Sequence, residues 1–205
     1  MTLRDVLLAE LSKRPNTGYG LNRRLRDELS HIWHARLQQV YRELGRLQEE
    51  GLVRVECLAQ GNRPDKKRYS LTQAGTDELD AWLATAVPPP AMKNEGFIRL
   101  YCIERASRDV VERQLAARGE QWRRRCQELA GKLDRARAAG VEEIGYLLTV
   151  DAALAQAEAN AAWCVKALGF LRSVPQAQSP GGDGGPNGRA RLSATVAAAS
   201  GLPAH

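Results

Sequence analysis

The sequence predicts a mainly α protein with a small two-stranded β wing, followed by a second unit of long helices. Three observations carry this. Apolar residues recur at helical spacing through three short segments before residue 50. Two short runs of strand character then flank the turn-forming stretch AQGNRPD, residues 59–65. From about residue 107 onward the apolar pattern settles into heptads.

Thr2 is placed to cap a first helix, roughly 3–14, with Leu3, Val6, Leu7 and Leu11 on its buried face. Pro15-Asn16-Thr17-Gly18 reads as a turn. A second helix runs from Tyr19 to about Leu29. Its stripe is Leu21, Leu25 and Leu29, with Arg23, Arg24 and Arg26 outside it. Ser30 to His34 connects to a third helix, about 35–50. There Val40, Leu44 and Leu47 form the stripe, with Leu37 one turn earlier, and Arg36, Gln38, Gln39, Arg42 and Arg46 fall mostly off it. Taken alone, that polar face also fits an ordinary solvated surface helix.

Gly51 stops the third helix. The strands are Leu52–Leu58 and Lys67–Leu71, so the hairpin carries Arg63, Lys66, Lys67 and Arg68 at its tip and second arm. Thr72 then caps a helix through Leu79, Trp82 and Leu83, with Gly75 in its first turn. Three helices followed by a hairpin is the order of a winged helix-turn-helix domain. In that fold the third helix lies in the DNA major groove and the wing touches the adjacent backbone. Arg36, Gln38, Gln39 and Arg42 lie toward the helix start, where Gln suits adenine and Arg suits guanine.

GYGLNRRL, VYRELGRLQEEGLV and KKRYSLTQAG, in that order and at these separations, resemble the PadR family of bacterial transcriptional regulators. The resemblance is strong over roughly residues 2–86. Residues 92–172 look like the longer helical extension of the virulence-activator-like subgroup, though no short motif there is diagnostic. The resemblance implies a repressor of neighbouring genes or of its own, acting on double-stranded DNA at a pseudo-palindromic operator, with a small-molecule effector. It also implies that Tyr41 contacts the DNA backbone. Tyr19 is a weaker contact of the same kind, its alternative role being packing at the helix start, and Tyr69 reads as wing core or contact, with core favoured.

Four segments follow: a DNA-binding domain over 1–86, a Pro-rich linker over 87–91, a helical dimerisation and effector domain over 92–172, and a disordered tail over 173–205. The second domain is expected to hold helices at about 93–104, 107–138 and 142–171. In the last, Leu147, Val150, Leu154, Ala157, Ala161, Cys164, Leu168 and Leu171 alternate spacings of three and four. That seam, and Leu147, Leu154, Ala161 and Leu168 in particular, reads as a homodimer contact. The alternative is a helical hairpin that packs only within its own chain. Trp122 and Trp163 are effector-pocket candidates, or else packing aromatics.

The 205 residues hold 30 Lys plus Arg against 24 Asp plus Glu, a net charge of +6. The excess is spread out: residues 1–86 hold 14 basic and 12 acidic groups, and residues 87–172 hold 14 and 11. A nucleic-acid reading therefore rests on local placement, not on the total. No segment has the continuous apolar length of a membrane span, and no signal peptide is legible, so a cytoplasmic chain without a membrane partner is expected. The four cysteines form no CxxC pair. His31 and His34 with Cys57 fall short of a zinc pattern, so neither a metal nor a cofactor is expected. No P-loop or nucleophile elbow is present, and no catalytic residue is assigned. Beside the DNA-binding regulator stands one alternative, a winged helix serving as a protein-interaction module on a coiled-coil scaffold. The basic and amide groups on its exposed elements favour DNA.

Overall fold

The computed structural model describes residues 2–60, 63–87, 95–102, 107–140 and 143–174. The chain divides into two compact units, Met1–Ala91 and Met92–His205.

The first unit contains α1 (Leu3–Lys13), β1 (Asn16–Thr17), α2 (Gly18–Asp27), α3 (Leu37–Glu49), β2 (Val53–Gln60), β3 (Arg63–Leu71) and α4 (Gln73–Leu83). Leu7, Leu8, Leu21, Leu25, Val40, Leu44 and Leu47 form its core, each 1% exposed or less. Burying a side chain of this size contributes about 1.5–3 kcal/mol as an upper estimate. Helix ends follow local rules. The Thr2 N–H donates to Asp5 Oδ2 (2.6 Å) at the start of α1, and the Gly20 N–H donates to Thr17 Oγ1 (3.0 Å) at the start of α2. Thr72 Oγ1 accepts from the Gly75 N–H (3.1 Å) and donates to the Gly51 carbonyl (2.7 Å), tying α4 to the end of α3. Gly51 takes φ +73, which lets the Leu52 N–H return to the Leu47 carbonyl (2.9 Å) and close α3 in a Schellman turn.

Two expectations need correction here. The Pro15–Gly18 turn contains a short strand: Asn16 and Thr17 pair antiparallel with Tyr69 and Arg68, so the wing belongs to a three-stranded sheet of order β1-β3-β2. A two-residue strand is too short to show alternation, so only the pairing reveals it. Arg24, read as lying outside the α2 stripe, is buried; its Nε donates to Glu10 Oε2 at 2.5 Å, and Glu10 is itself buried. Arg4 of α1 bridges to Glu50 and Glu78, joining α1 to the end of α3 and to α4.

The second unit contains α5 (Glu95–Tyr101), α6 (Arg108–Ala138) and α7 (Ile144–Ser173). Here α6 and α7 form a hairpin, with Gly140 at φ +63 opening the turn. Leu129, Leu133, Val150 and Ala157 make its central cluster, and Trp122, Cys126, Leu147 and Leu154 pack against them. The heptad seam of α7 is thus occupied by α6 of the same chain, with Val150, Ala157 and Cys164 buried and Leu147, Leu154, Ala161 and Leu168 half-buried. At the open end Arg108 donates to the carbonyls of Leu171 and Val174, which lack helical partners there.

Candidate nucleic-acid interface

The stripe on α3 decides which of its side chains are free. With Val40, Leu44 and Leu47 fully buried, α3 is held by α1, α2 and β2. The opposite face is left to solvent: Gln38, Arg42 and Arg46 are exposed. Arg42 has no ion-pair partner among the described residues, whereas Arg46 lies 3.6 Å from Glu43. Gln39 is differently employed. Its Oε1 accepts from the Arg36 N–H (2.8 Å), satisfying a donor at the helix start, so Gln39 acts as a reciprocal cap and not as a free reader. Arg36 is the N-cap residue itself, with its side chain exposed.

Leu37 departs from expectation. It is the first residue of α3 and is 38% exposed, so the buried stripe begins at Val40. Tyr41, 45% exposed, stands one turn after Leu37, and Tyr19 of α2 is 60% exposed. Tyr41 lies over the start of α2: a Cβ added to Gly18 would meet its Cε1 at 2.4 Å and its Cδ1 at 2.9 Å. Gly18 therefore sets how closely α2 and the Tyr41 ring approach. The sequence signal was the small residue in Gly18-Tyr19-Gly20, whose partner on α3 no local pattern reveals.

In the wing, Glu56 stands opposite Arg68 and holds it at 2.7 Å. Lys66 and Lys67 are exposed and have no ion pair to any described residue. Arg63 opens β3, opposite Gln60. Tyr69 is buried, and burial pushes its phenol pKa up, in keeping with a role in the wing core. The first unit thus presents a helix face of amide and guanidinium groups and a hairpin arm with two ammonium groups unneutralised among the described residues. Such groups serve base-edge readout and phosphate contact respectively.

In the second unit the two tryptophans have different neighbours. Trp122 packs in the α6–α7 core, and Trp163 meets Phe97 of α5 edge-on, ring centroids 6.2 Å apart. A cavity of about 340 Å³ lies instead between α5 and α6, lined by Arg99, Leu100, Val111, Leu115 and Arg118 among others, and by neither tryptophan. Among the described residues no group of three or more His, Cys, Asp or Glu is placed to hold a metal ion, and no helix is long and apolar enough to cross a membrane. The linker positions 88–91 and the tail beyond residue 174 lie outside the described residues.

Two family models match this chain: the transcriptional regulator PadR-like family over residues 7–81, and the virulence activator alpha C-terminal domain over residues 92–172. The negative transcriptional regulator PadR of Bacillus subtilis is 26% identical over 176 residues, covering 82% of this chain and 97% of that protein. The crystal structure of Bacillus subtilis PadR with operator DNA superposes with a TM-score of 0.76 at 26% identity, covering 82% of this chain and 98% of that one. The virulence activator AphA of Vibrio cholerae gives a TM-score of 0.71 at 28% identity, covering 84% and 99%.

Proposed function

The chain belongs to the PadR-like family of transcriptional regulators, and we propose that it is a homodimeric repressor that binds a specific operator in double-stranded DNA and is released by a small molecule. One observation carries the DNA reading. The helix that follows the helix-turn buries Val40, Leu44 and Leu47 and leaves Gln38 and Arg42 free on the opposite face, while Lys66 and Lys67 of the wing are exposed and unpaired among the described residues. In this reading Gln38 and Arg42 read base edges, Tyr41 and Tyr19 touch the backbone, and Arg36, Arg46, Arg63, Lys66 and Lys67 meet phosphates. Gln39 contributes by holding the helix start.

The homodimer is supported by exposed apolar side chains on the second unit: Ile98 and Tyr101 of α5, and Ile144, Leu148 and Val165 of α7. Leu147, Leu154, Ala161 and Leu168 then serve chiefly the hairpin on which that face is built. The effector is assigned to the α5–α6 cavity, where apolar walls meet the Arg118 guanidinium, Arg99 being paired with Glu95, a lining suited to a molecule with an apolar body and an acidic group.

The test is selection of bound DNA fragments, followed by fluorescence anisotropy on the recovered operator and a scrambled duplex across a salt series. Arg42→Ala should cost about 1–3 kcal/mol on the operator and much less on scrambled DNA. Replacing Lys66 and Lys67 with Ala should weaken both duplexes alike and flatten the salt dependence by roughly one unit of slope per lost contact. Recovery of no binding fragment would leave the protein-interaction module in its place.

A further inference from the structure

One residue of α3 has no explanation within the fold. Gly45 lies in the interior of this 13-residue helix, where glycine is a poor helix former because it surrenders the most backbone freedom. Its neighbours in the chain do not demand it. At Gly18 an added Cβ would press on the Tyr41 ring, and at Gly75 it would lie 2.1 Å from the Leu52 carbonyl oxygen. At Gly45 it would meet nothing within 4 Å, and the backbone there has no positive φ. Judged by this chain alone, alanine is the better residue at position 45. The space that a side chain would fill lies outside the protein.

The helix geometry says which way that space faces. Gly45 follows Arg42 by three residues and Gln38 by seven, and so shares their side of α3, away from Val40, Leu44 and Leu47. Exposed Glu49 comes one turn later on the same side, and its carboxylate is a poor neighbour for phosphate. The sequence of groups along this face is amide, guanidinium, bare backbone, carboxylate. Gly45 stands eight residues beyond the start of α3, about 12 Å along the axis at 1.5 Å per residue. The DNA major groove is about 12 Å wide. A helix whose first turn sits at one wall of the groove and whose axis runs across it would bring this position to the other wall.

We propose that Gly45 is a DNA-contact position: a notch of bare helix backbone against which one sugar–phosphate strand packs directly, closing the interface between Arg42 and Glu49. The inference rests on the DNA-binding reading above and adds a residue to it. A contact made by the absence of a side chain is invisible to any search for basic or amide groups. It leaves only the signature seen here, a helix-interior glycine facing empty space on a functional face.

Stability and binding should move in opposite directions. In the full chain, Gly45→Ala is expected to raise the thermal midpoint of the first unit by roughly 4 °C. Anisotropy should show operator affinity falling tenfold or more. Gly45→Leu should keep the raised midpoint and lose more affinity, because the lost fit scales with side-chain size. Scrambled duplex should weaken as well, in contrast to Arg42→Ala, since a strand contact reads no base. Variants that bind the operator as tightly as the wild type would overturn the inference and leave the DNA reading standing. So would an affinity loss that only tracks a lowered midpoint. If the wild type binds no selected duplex, the DNA reading fails and this inference fails with it.

Discussion

Replacing Arg24 with Met tests what holds α2 in place, and through it the recognition surface of α3. Arg24 Nε lies 2.5 Å from Glu10 Oε2, with the two side chains 11% and 5% exposed. Removing the guanidinium leaves the Glu10 carboxylate in an apolar interior. Its other cation is Lys13, 3.7 Å away and 38% exposed. Breaking a buried pair from one side costs about 3–5 kcal/mol. Movement of Lys13 toward Glu10 should offset part of that, so we expect a loss of about 2–4 kcal/mol. That is a large fraction of the 5–15 kcal/mol typical of a whole domain. The double variant Glu10→Leu, Arg24→Met removes both buried charges and should recover most of the loss, because their desolvation penalty disappears with the attraction, while Glu28, the other partner of Arg24 at 3.0 Å, is exposed enough to stay solvated. Because the chain has two units, global unfolding curves mix two transitions. Hydrogen exchange across a urea series, read in peptides from α1 and α2, isolates the first unit. If Arg24→Met protects these peptides as well as the wild type does, the pair does not hold the unit together. If the double variant is as damaged as the single one, the lost stability comes from packing and not from an abandoned charge.

Two further outcomes follow from close contacts in each unit. Gly18→Ala puts a Cβ within 2.4 Å of the Tyr41 ring, which is exposed and free to swing, so stability should change by less than about 1 kcal/mol while operator affinity drops several-fold; unchanged affinity would remove Tyr41 from the contact set. Leu148 is 63% exposed on α7 whereas Leu154 packs in the hairpin core. Leu148→Lys should therefore sediment as a folded monomer, and Leu154→Lys should lose helix content on mild heating. A stable Leu148→Lys dimer would move the interface to another face.

The sequence by itself determined the elements and the faces they bury. Helical period set the stripes at Leu21 and Leu25 and at Val40, Leu44 and Leu47. Turn chemistry marked Gly51 and Thr72, and the heptads set the long α6 and α7. These depend on backbone geometry within a few residues, so they survive without knowledge of the fold. The exposed polar side of α3 was legible for the same reason. What the tertiary structure decided was the partner of each face and the employment of each polar group. Arg24 and Arg42 look alike in a periodicity plot, yet one is captured by Glu10 and the other faces solvent. Gln38 and Gln39 are adjacent and chemically identical, yet one caps the helix and the other is free. A heptad seam says that something must cover it, not which helix does, and here α6 of the same chain fills it. The physical reason is common to all three: a side chain's period is a local property, while its partner is a long-range one, supplied by whichever element the fold brings alongside.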